Sequence, residues 1–389
     1  MKQFPLDNLS ENSGFDGPVF LDKEYILTSP DTFLSGDLIR RLKKWGFSEI
    51  FSDGSLREKE AYQPPEGETD AKPALEKDIK DQEHLEKARK SYYQMITFTR
   101  ELFLVFKAKN LIDLSRLTTQ VKELIQAVKQ MRDAVLRFPE FPYPGDNYLF
   151  RHSVDTAILS LAVGDMMKFP PHRLIELGNA ALLHDIGMIK IPESMYLTDS
   201  PLDEKQTKMV RAHTILGYRI LKGFSVSEDM ARPALEHHER LDGSGYPNGL
   251  QGDKISLFSR IIAVACSYAA MISQRRFRSA RDGHSALLDL LKQRGSGYDE
   301  RVIRTLIYCL SVYPLGTPVR LSNQAVGRVV KSNAENPRFP LVQILLDEAG
   351  KVPEEQTVLQ TSESGGITIE QGLTAQELES LTREQANPS

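Results

Sequence analysis

Apolar residues recur at steps of three and four positions between residues 83 and 138, and this spacing predicts amphipathic helices. The clearest stripe begins at Leu114 and ends at Val135, and an earlier stripe contains Tyr92, Ile96, Phe103 and Phe106. We therefore expect a helical connector over residues 83–138. Two interpretations remain open for it: a helical hairpin that packs on its own core, or a dimer interface that transmits a signal.

The region before the connector mixes short apolar runs with one helical pattern. The runs GPVFL, EYIL and SEIFSDG predict strands, and SPDTFLSGDLIRRLKKWGF predicts a capped amphipathic helix. Residues 1–60 are therefore expected to form a small α+β N-terminal domain. Residues 61–82 are charged, contain prolines and have few large apolar side chains, which is typical of a linker that runs into a helix.

The pattern changes twice more toward the C-terminus. After the breaker cluster FPEFPYPG, residues 139–315 have mainly helical periodicity. The segments TPVRL, AVGRVV and PLVQILLD then predict three short strands, so residues 316–350 are expected to form a small β appendage. Residues 351–389 are polar and rich in Glu, Gln, Ser and Thr, and we expect a flexible tail there.

Composition restricts the class of protein. The 389 residues are 40% hydrophobic and 26% charged, as in an average globular protein, which suggests two or three domains. The net charge of −4 gives no basic excess, so we expect no nucleic-acid polymer as a partner. Two cysteines, no signal-peptide pattern and no apolar run long enough for a bilayer predict a cytoplasmic protein without a membrane span.

Histidines are concentrated in the middle of the chain. Five of the eight lie between residues 152 and 238, and Asp185 directly follows one of them. Imidazole and carboxylate are good ligands for divalent transition metals, and a carboxylate can bridge two ions because it has two oxygens. These donors predict a two-metal site in a helical bundle, although each histidine taken alone is compatible with an ordinary structural role. The histidines are His152, His184, His213, His237 and His238.

The segment HHERLDGSGYPNG extends this pattern. Together with the earlier histidines it resembles the HD-GYP family, a branch of the HD phosphohydrolases, over residues 146–313. The resemblance implies a mainly α fold, with a helical HD-GYP bundle, a small α+β N-terminal domain and a short β appendage near the C-terminus. The matching landmarks are His152-Ser153, His184-Asp185-Ile186-Gly187, His213, His237-His238-Glu239-Arg240, Asp242-Gly243, Gly245-Tyr246-Pro247, Arg275 and Arg278.

The resemblance also implies a function. Members hydrolyse the bacterial second messenger cyclic di-GMP to linear pGpG, and many continue to GMP, by means of a hydroxide activated by two metal ions, often iron or manganese. Asp185 would bridge the ions and act in catalysis with His184. His152 and His184 would bind one ion, and His213, His237 and His238 the other. The substrate would be held by Gly243, Tyr246, Arg275 and Arg278.

Several positions depart from the family pattern. Met188 stands where members usually have a lysine after HDIG, and Lys190 is expected to point to a different helix face. Cys266 replaces a metal-binding aspartate and Ala269 a second acidic residue. Cys266 is either a soft metal ligand or a small buried residue that has lost ligation. Tyr148 replaces a glutamate found in members with three metals, so we expect two ions at most.

These departures leave two hypotheses open. The first is an active cyclic di-GMP phosphodiesterase with an altered metal site. The second is a catalytically weak or inactive member that acts as a cyclic di-GMP sensor or protein-interaction module, in which Met188, Cys266 and Ala269 have reduced turnover while ligand binding persists. Signalling proteins and a homodimer built on the connector would be further partners in either case.

Overall fold

The computed structural model divides into two compact units, residues 1–74 and 75–389. Within the residues that it describes, no helix is both long and apolar enough to cross a membrane. Those residues are 2–10, 13–16, 19–20, 26–28, 34, 39–40, 42–43, 47–58, 71–141, 148–196, 202–273, 281–333, 336–353, 357–362, 366–373 and 377–381.

The first unit is built on a four-stranded sheet with a separate two-stranded ribbon. The sheet has the order β1-β5-β3-β4, and β2 pairs with β6. Its core is a small apolar cluster that includes Phe15, Val19 and Ile50, supplemented by Leu42 from a short helical stretch. The strands are β1 (Lys2–Pro5), β2 (Ser13–Phe15), β3 (Val19–Phe20), β4 (Ile26–Thr28), β5 (Glu49–Ser52) and β6 (Leu56–Glu58).

The second unit is mainly helical, which confirms the predicted fold class together with the α+β unit before it. Its α-helices are α1 (Ala71–Lys109), α2 (Leu114–Gln130), α3 (Arg132–Val135), α4 (Tyr148–Met166), α5 (Pro171–Leu183), α6 (Glu193–Tyr196), α7 (Glu204–Arg211), α8 (His213–Gly223), α9 (Glu228–Glu236), α10 (Leu257–Ile272), α11 (Gly283–Lys292) and α12 (Glu300–Leu310). Short 3-10 segments occupy Phe138–Glu140, Ile186–Lys190 and Gly252–Lys254.

The connector stripe packs on the bundle and shares its core. Helix α2 is capped by Asp113, whose side chain accepts from the Arg116 backbone N–H at 2.9 Å. Its apolar face is buried against α4 and α5, in one continuous core with them. Thus α2 forms no separate hairpin core, because its stripe matches the apolar faces of the bundle. Helix α1 begins at Ala71, inside the segment expected to be a linker.

Helix α4 lies at the centre of the bundle. All but a few of its side chains are buried, and it contacts α5, α10 and α12. A helix that is apolar on every side is expected to lie inside a protein. Because α4 is enclosed, His152 near its N-terminal end is held in a fixed position.

A five-stranded antiparallel sheet follows the bundle. Three strands, β7 (Pro318–Leu321), β8 (Val326–Lys331) and β9 (Leu341–Leu346), coincide with the three predicted segments. The sheet order is β10-β9-β8-β7-β11, so β10 (Val358–Gln360) and β11 (Ile369–Gly372) form its edges.

The expectation of a flexible tail over residues 351–389 is therefore wrong for these strands. Leu359 and Ile369 pack on the sheet core, and Leu373 is buried with Val326 and Leu346. Strands of three or four residues are too short for alternation to be recognised in a polar sequence. Strands β10 and β11 are stabilised by pairing with β9 and β7, and a local sequence pattern does not reveal this pairing.

A buried carboxyl joins α1 to the central helix. The Tyr92 hydroxyl donates to Asp155 Oδ1 at 2.7 Å, and Arg151 Nε lies 3.8 Å from Oδ2. Burial raises the pKa of Asp155 to about 7, against the opposing effects of the Tyr92 hydrogen bond and the Arg151 charge. The folded protein therefore holds a proton here that the unfolded chain releases near its ordinary pKa of 3.8.

This difference predicts a pH-dependent stability. Between about pH 4 and 7 the folded state binds more protons at Asp155 than the unfolded state, so this group's contribution falls as pH rises, by at most about 1.4 kcal/mol per pH unit. Asp155→Asn, which keeps an acceptor for Tyr92, is expected to gain stability relative to wild type at pH 8 but not at pH 4. Urea midpoints followed by helical circular dichroism in the presence of a chelator measure this. Parallel pH dependences in the two proteins would contradict it.

Candidate metal centre

Helix ends supply most of the polar side chains at the centre of the bundle. His184 occupies the C-terminal cap position of α5 and is followed by Asp185, while His237 occupies the same position after α9. His213 is the first residue of α8, and His152 lies in the second turn of α4. These side chains come from distant segments of the chain. They converge because the helices that carry them pack on one another.

Asp185 is the centre of this cluster. Its Oδ2 lies 3.5 Å from His184 Nε2 and 3.9 Å from His152 Nε2. Its Oδ1 lies 3.3 Å from His213 Nε2 and 3.5 Å from His237 Nε2. Each carboxylate oxygen thus faces its own pair of imidazoles, and the division into pairs is the one that the sequence analysis expects for two metal ions.

Backbone hydrogen bonds orient three of the imidazoles. The Nδ1 atoms of His184, His213 and His237 lie 2.7, 2.6 and 2.8 Å from the carbonyl oxygens of Ala181, Val210 and Pro233. Since a carbonyl only accepts, each Nδ1 carries a proton, and each Nε2 faces Asp185. This arrangement is typical of metal-binding histidines.

The donor set fits divalent cations. His184 is fully buried, and its Nε2 has no hydrogen-bond partner among the described residues, which is costly unless a cation occupies the site. Three groups have ligand atoms that lie within 4.8 Å of one another. They are His152, His184 and Cys266; His213, His237 and His238; and His184, Asp185 and His237.

The protonation states also favour cation binding. Burial opposes ionisation of Asp185, but the surrounding imidazoles outweigh it and hold its pKa well below the usual range. Burial lowers the pKa of His237 to about 4, although Asp185 acts in the opposite direction. Burial and the neighbouring His237 hold the pKa of His238 well below 6.5. Near neutral pH Asp185 is therefore ionised and His237 and His238 are neutral, the forms that bind metal.

Two of the departures from the family pattern, Cys266 and Tyr148, lie beside His152. Cys266 Sγ is 3.3 Å from His152 Nε2, and the ring of Tyr148 stacks on the His152 ring at 5.4 Å. Ala269, one turn after Cys266, is fully buried and offers no ligand. Met188 is 8% exposed in the 3-10 segment after Asp185. Lys190 Nζ lies over the Phe106 ring at 5.2 Å.

The loop with the GYP sequence borders the second group of histidines. The Tyr246 ring stacks on His238 at 4.7 Å, and the Arg211 guanidinium lies 4.7 Å from the Tyr246 ring centroid. Burial raises the pKa of Tyr246 well above its ordinary value, so its hydroxyl remains a hydrogen-bond donor. Gly243 has a positive φ of 83°, a conformation that favours glycine. The other predicted substrate residues, Arg275 and Arg278, lie outside the described residues.

Two residues have a role in this region that sequence reasoning did not assign to them. Glu239 is buried, and its carboxylate accepts the backbone N–H groups of Asn248 and Leu250 at 2.7 and 3.0 Å, which fixes the loop. The sequence signal that could have identified the role of Glu239 is its position directly after His237-His238. Arg211 is two residues before His213, and nothing in the local sequence distinguishes it from the other surface arginines.

Gly187 allows the close approach of Asp185 to His213. A Cβ added to Gly187 would lie 1.9 Å from the His213 carbonyl oxygen and 2.6 Å from the Gly217 backbone nitrogen. The 3-10 segment and the first turn of α8 therefore meet backbone to backbone. Only glycine permits this contact, which keeps Asp185 near the second pair of imidazoles.

Two sequence families match the chain. Residues 146–302 match the HD domain, and residues 318–381 match the KOW domain associated with HD domain. The second match includes all five strands of the C-terminal sheet.

Curated relatives match much of the chain. It is 26% identical over 368 residues to the cyclic di-GMP phosphodiesterase PdeB of Borreliella burgdorferi, with 92% of each protein covered. It is 28% identical over 341 residues to the cyclic di-GMP phosphodiesterase PA4108 of Pseudomonas aeruginosa, covering 84% of this chain and 80% of that relative. It is also 42% identical over 137 residues to the cyclic di-GMP phosphodiesterase response regulator RpfG of Xanthomonas campestris, covering 35% and 36%.

Because Gly187 has no side chain, we predict that a single methyl group added at this position weakens metal binding. Gly187→Ala is expected to separate Asp185 from His213 and to weaken metal binding by at least about tenfold, as do other changes that disturb ligand orientation. Isothermal titration of the metal-free protein with Mn²⁺ measures this. Gly223→Ala is the matched control, because an added Cβ there has nothing within 4 Å. Equal affinities in the two variants would show that the close approach does not position the ligands.

Proposed function

We propose that this chain, whose residues 146–302 match the HD domain, is a member of the HD-GYP family and a metal-dependent phosphodiesterase that hydrolyses cyclic di-GMP. The observation that carries the proposal is the largely buried Asp185 carboxylate, whose two oxygens face separate pairs of imidazoles. Relatives that match both the bundle and the C-terminal sheet are cyclic di-GMP phosphodiesterases by name.

The residues that would hold two divalent ions form two pockets on either side of Asp185. His152 and His184 belong to the first pocket, and His213, His237 and His238 to the second, with iron or manganese as the proposed ions. When bound, such ions supply Lewis-acid activation of water and of a phosphoryl oxygen. His184 and Asp185 are the proposed catalytic residues because they contact both the ligand set and the reacting centre.

The protein's own contribution is orientation and charge. The Nδ1 hydrogen bonds of His184, His213 and His237 fix the orientation of these three imidazoles before the substrate enters. Burial removes competing water from the pockets. At the mouth, Tyr246 offers a hydroxyl donor, and Arg211 beside it offers a guanidinium group suited to phosphate oxygens.

Finer features of the proposal follow from the same site. We propose pGpG as the first product, with continued cleavage to GMP. Gly243, Tyr246, Arg275 and Arg278 remain the proposed substrate-binding residues.

We propose a cytoplasmic location, because the proposed substrate is a bacterial second messenger and because Cys266 and Cys309 are free thiols. A homodimer and signalling partners remain proposals, supported by exposed apolar side chains on α1 such as Leu104.

A second candidate function is a cyclic di-GMP sensor with weak or no hydrolysis. Two substitutions favour it. Met188 stands where the family has a lysine, Ala269 stands where it has an acidic residue, and neither side chain carries a charge. Loss of single charged groups at a catalytic site typically costs about 10²–10³ in rate. The Tyr246 loop and the second pocket of histidines are unaffected by either change, so this candidate retains ligand binding.

One assay distinguishes the two candidates. The protein is purified without oxygen, its iron, manganese and zinc are quantified, and conversion of cyclic di-GMP to pGpG is followed by chromatography beside calorimetric binding. We expect metal-dependent product formation that a chelator abolishes. We expect Asp185→Asn and His184→Ala to reduce the rate by at least about 10²-fold, because each removes a group that contacts the centre.

The control variant is His172→Ala, because His172 is an exposed histidine in the first turn of α5. It is expected to hydrolyse cyclic di-GMP like wild type. Tight binding of cyclic di-GMP by wild type without metal-dependent product would contradict the enzymatic proposal and support the sensor. If the protein neither binds nor hydrolyses cyclic di-GMP, both candidates are contradicted.

A further inference from the structure

Cys266 differs from the other cysteine of the chain in what its sulfur faces. Cys309 is 3% exposed and belongs to the apolar core of the bundle. Cys266 is 7% exposed, yet it lies outside that apolar cluster, and its Sγ is 3.3 Å from His152 Nε2. The thiol therefore lies within hydrogen-bonding distance of the ligand nitrogen of an imidazole.

The position of this thiol makes the two pockets chemically different. The pocket on the Oδ2 side of Asp185 contains two imidazoles and a sulfur whose ligand atoms all lie within 4.8 Å of one another. The pocket on the Oδ1 side contains imidazole nitrogens from three histidines and no sulfur. Imidazole nitrogen, thiolate sulfur and carboxylate oxygen are all ligands that Zn²⁺ accepts, and Asp185 Oδ2 lies 3.5 and 3.9 Å from the two imidazole nitrogens of this pocket.

We propose that Cys266 binds a metal ion as a thiolate together with His152, His184 and Oδ2 of Asp185, and that this pocket selects Zn²⁺ over Mn²⁺. On binding, a sulfur–metal bond forms and the thiol proton leaves to solvent, with no change of oxidation state. Thiolate is a soft ligand that favours zinc, whereas manganese favours oxygen ligands. In this pocket Zn²⁺ then replaces the iron or manganese of the proposed function, which remains in the pocket of His213, His237 and His238. The inference rests on the metal centre of the proposed function but not on hydrolysis.

The neighbours of Cys266 are consistent with a ligand role. Ala263 and Ala269 lie one turn before and one turn after it on α10, and both are buried and small. Small residues leave the sulfur as the one side-chain group from these three positions that reaches the pocket. Since Ala269 offers no donor, Cys266 is the ligand that α10 contributes among the described residues.

Cobalt serves as the probe, because a thiolate bound to Co²⁺ gives a strong charge-transfer absorption in the near ultraviolet that imidazole and carboxylate ligands do not give. The full-length metal-free protein is titrated with Co²⁺ without oxygen. We expect this band in wild type, its loss in Cys266→Ser and Cys266→Ala, and its retention in Cys309→Ser. Subsequent Zn²⁺ is expected to displace the cobalt and abolish the band, whereas Mn²⁺ is not.

A second measurement uses the wild-type protein alone, so the test does not depend on folding of a variant. X-ray absorption of the protein loaded with one equivalent of Zn²⁺ is expected to show one sulfur neighbour at about 2.3 Å. Competition titrations are expected to show at least about tenfold weaker Zn²⁺ binding in Cys266→Ser. Cys266→Asp is expected to lose the preference for Zn²⁺ and to bind Mn²⁺ more tightly than wild type.

Each outcome bears on one claim. A missing cobalt band in wild type, a zinc site with only nitrogen and oxygen neighbours, or a band that persists in Cys266→Ser would overturn the inference. A wild-type protein that shows the band but does not hydrolyse cyclic di-GMP would contradict the proposed function and leave the thiolate ligand established. A wild-type protein that hydrolyses cyclic di-GMP but lacks the cobalt band would support the proposed function and overturn the thiolate inference.

Discussion

The structure depends on the cost of burying the Asp185 carboxylate. A carboxylate removed from water is unfavourable unless opposite charge or hydrogen bonds compensate. Here four imidazole Nε2 atoms lie 3.3–3.9 Å from its two oxygens, and three of the imidazoles, those of His184, His213 and His237, are held by backbone carbonyls through Nδ1. Divalent cations between the carboxylate oxygens and the imidazole nitrogens would supply the opposite charge that this arrangement requires. The packing of α4, α5, α8, α9 and α10 brings these groups together.

The sequence predicted the chemistry of the site better than the limits of the domains. The spacing of the five histidines and Asp185 is compatible with a metal site, and the family resemblance implied that they form one centre before their geometry was known. Helix α2 could also be predicted, because its stripe follows helical periodicity over 17 residues. Its packing partner could not, because periodicity shows that a face is apolar but not which other face covers it.

The C-terminal sheet illustrates a different limit. Strands β7, β8 and β9 contain apolar runs long enough to be recognised. Strand β10, with three residues, depends on its pairing with β9, where Leu359 lies opposite Val342. Glu239 was similarly hidden, since its hydrogen bonds to the loop join residues up to eleven positions apart. Such features are decided by tertiary contacts, and local sequence patterns do not encode them.

The Cys266 thiol and the Asp185 carboxylate give this centre two unequal halves. Fixed imidazoles surround both, but only one half contains sulfur, and the positions Met188 and Ala269 lack the charges of the family pattern. Substitutions at these positions alter which ion is bound and how strongly the bound ion polarises the substrate, while the helical bundle keeps the same fold. Binding and turnover can therefore diverge in this protein without any change of fold.

The most direct test of the central claim is anomalous diffraction from crystals of the metal-loaded protein. The account predicts two metal peaks about 4 Å apart, one on each side of the Asp185 carboxylate. A single ion, or ions bound away from Asp185, would contradict it.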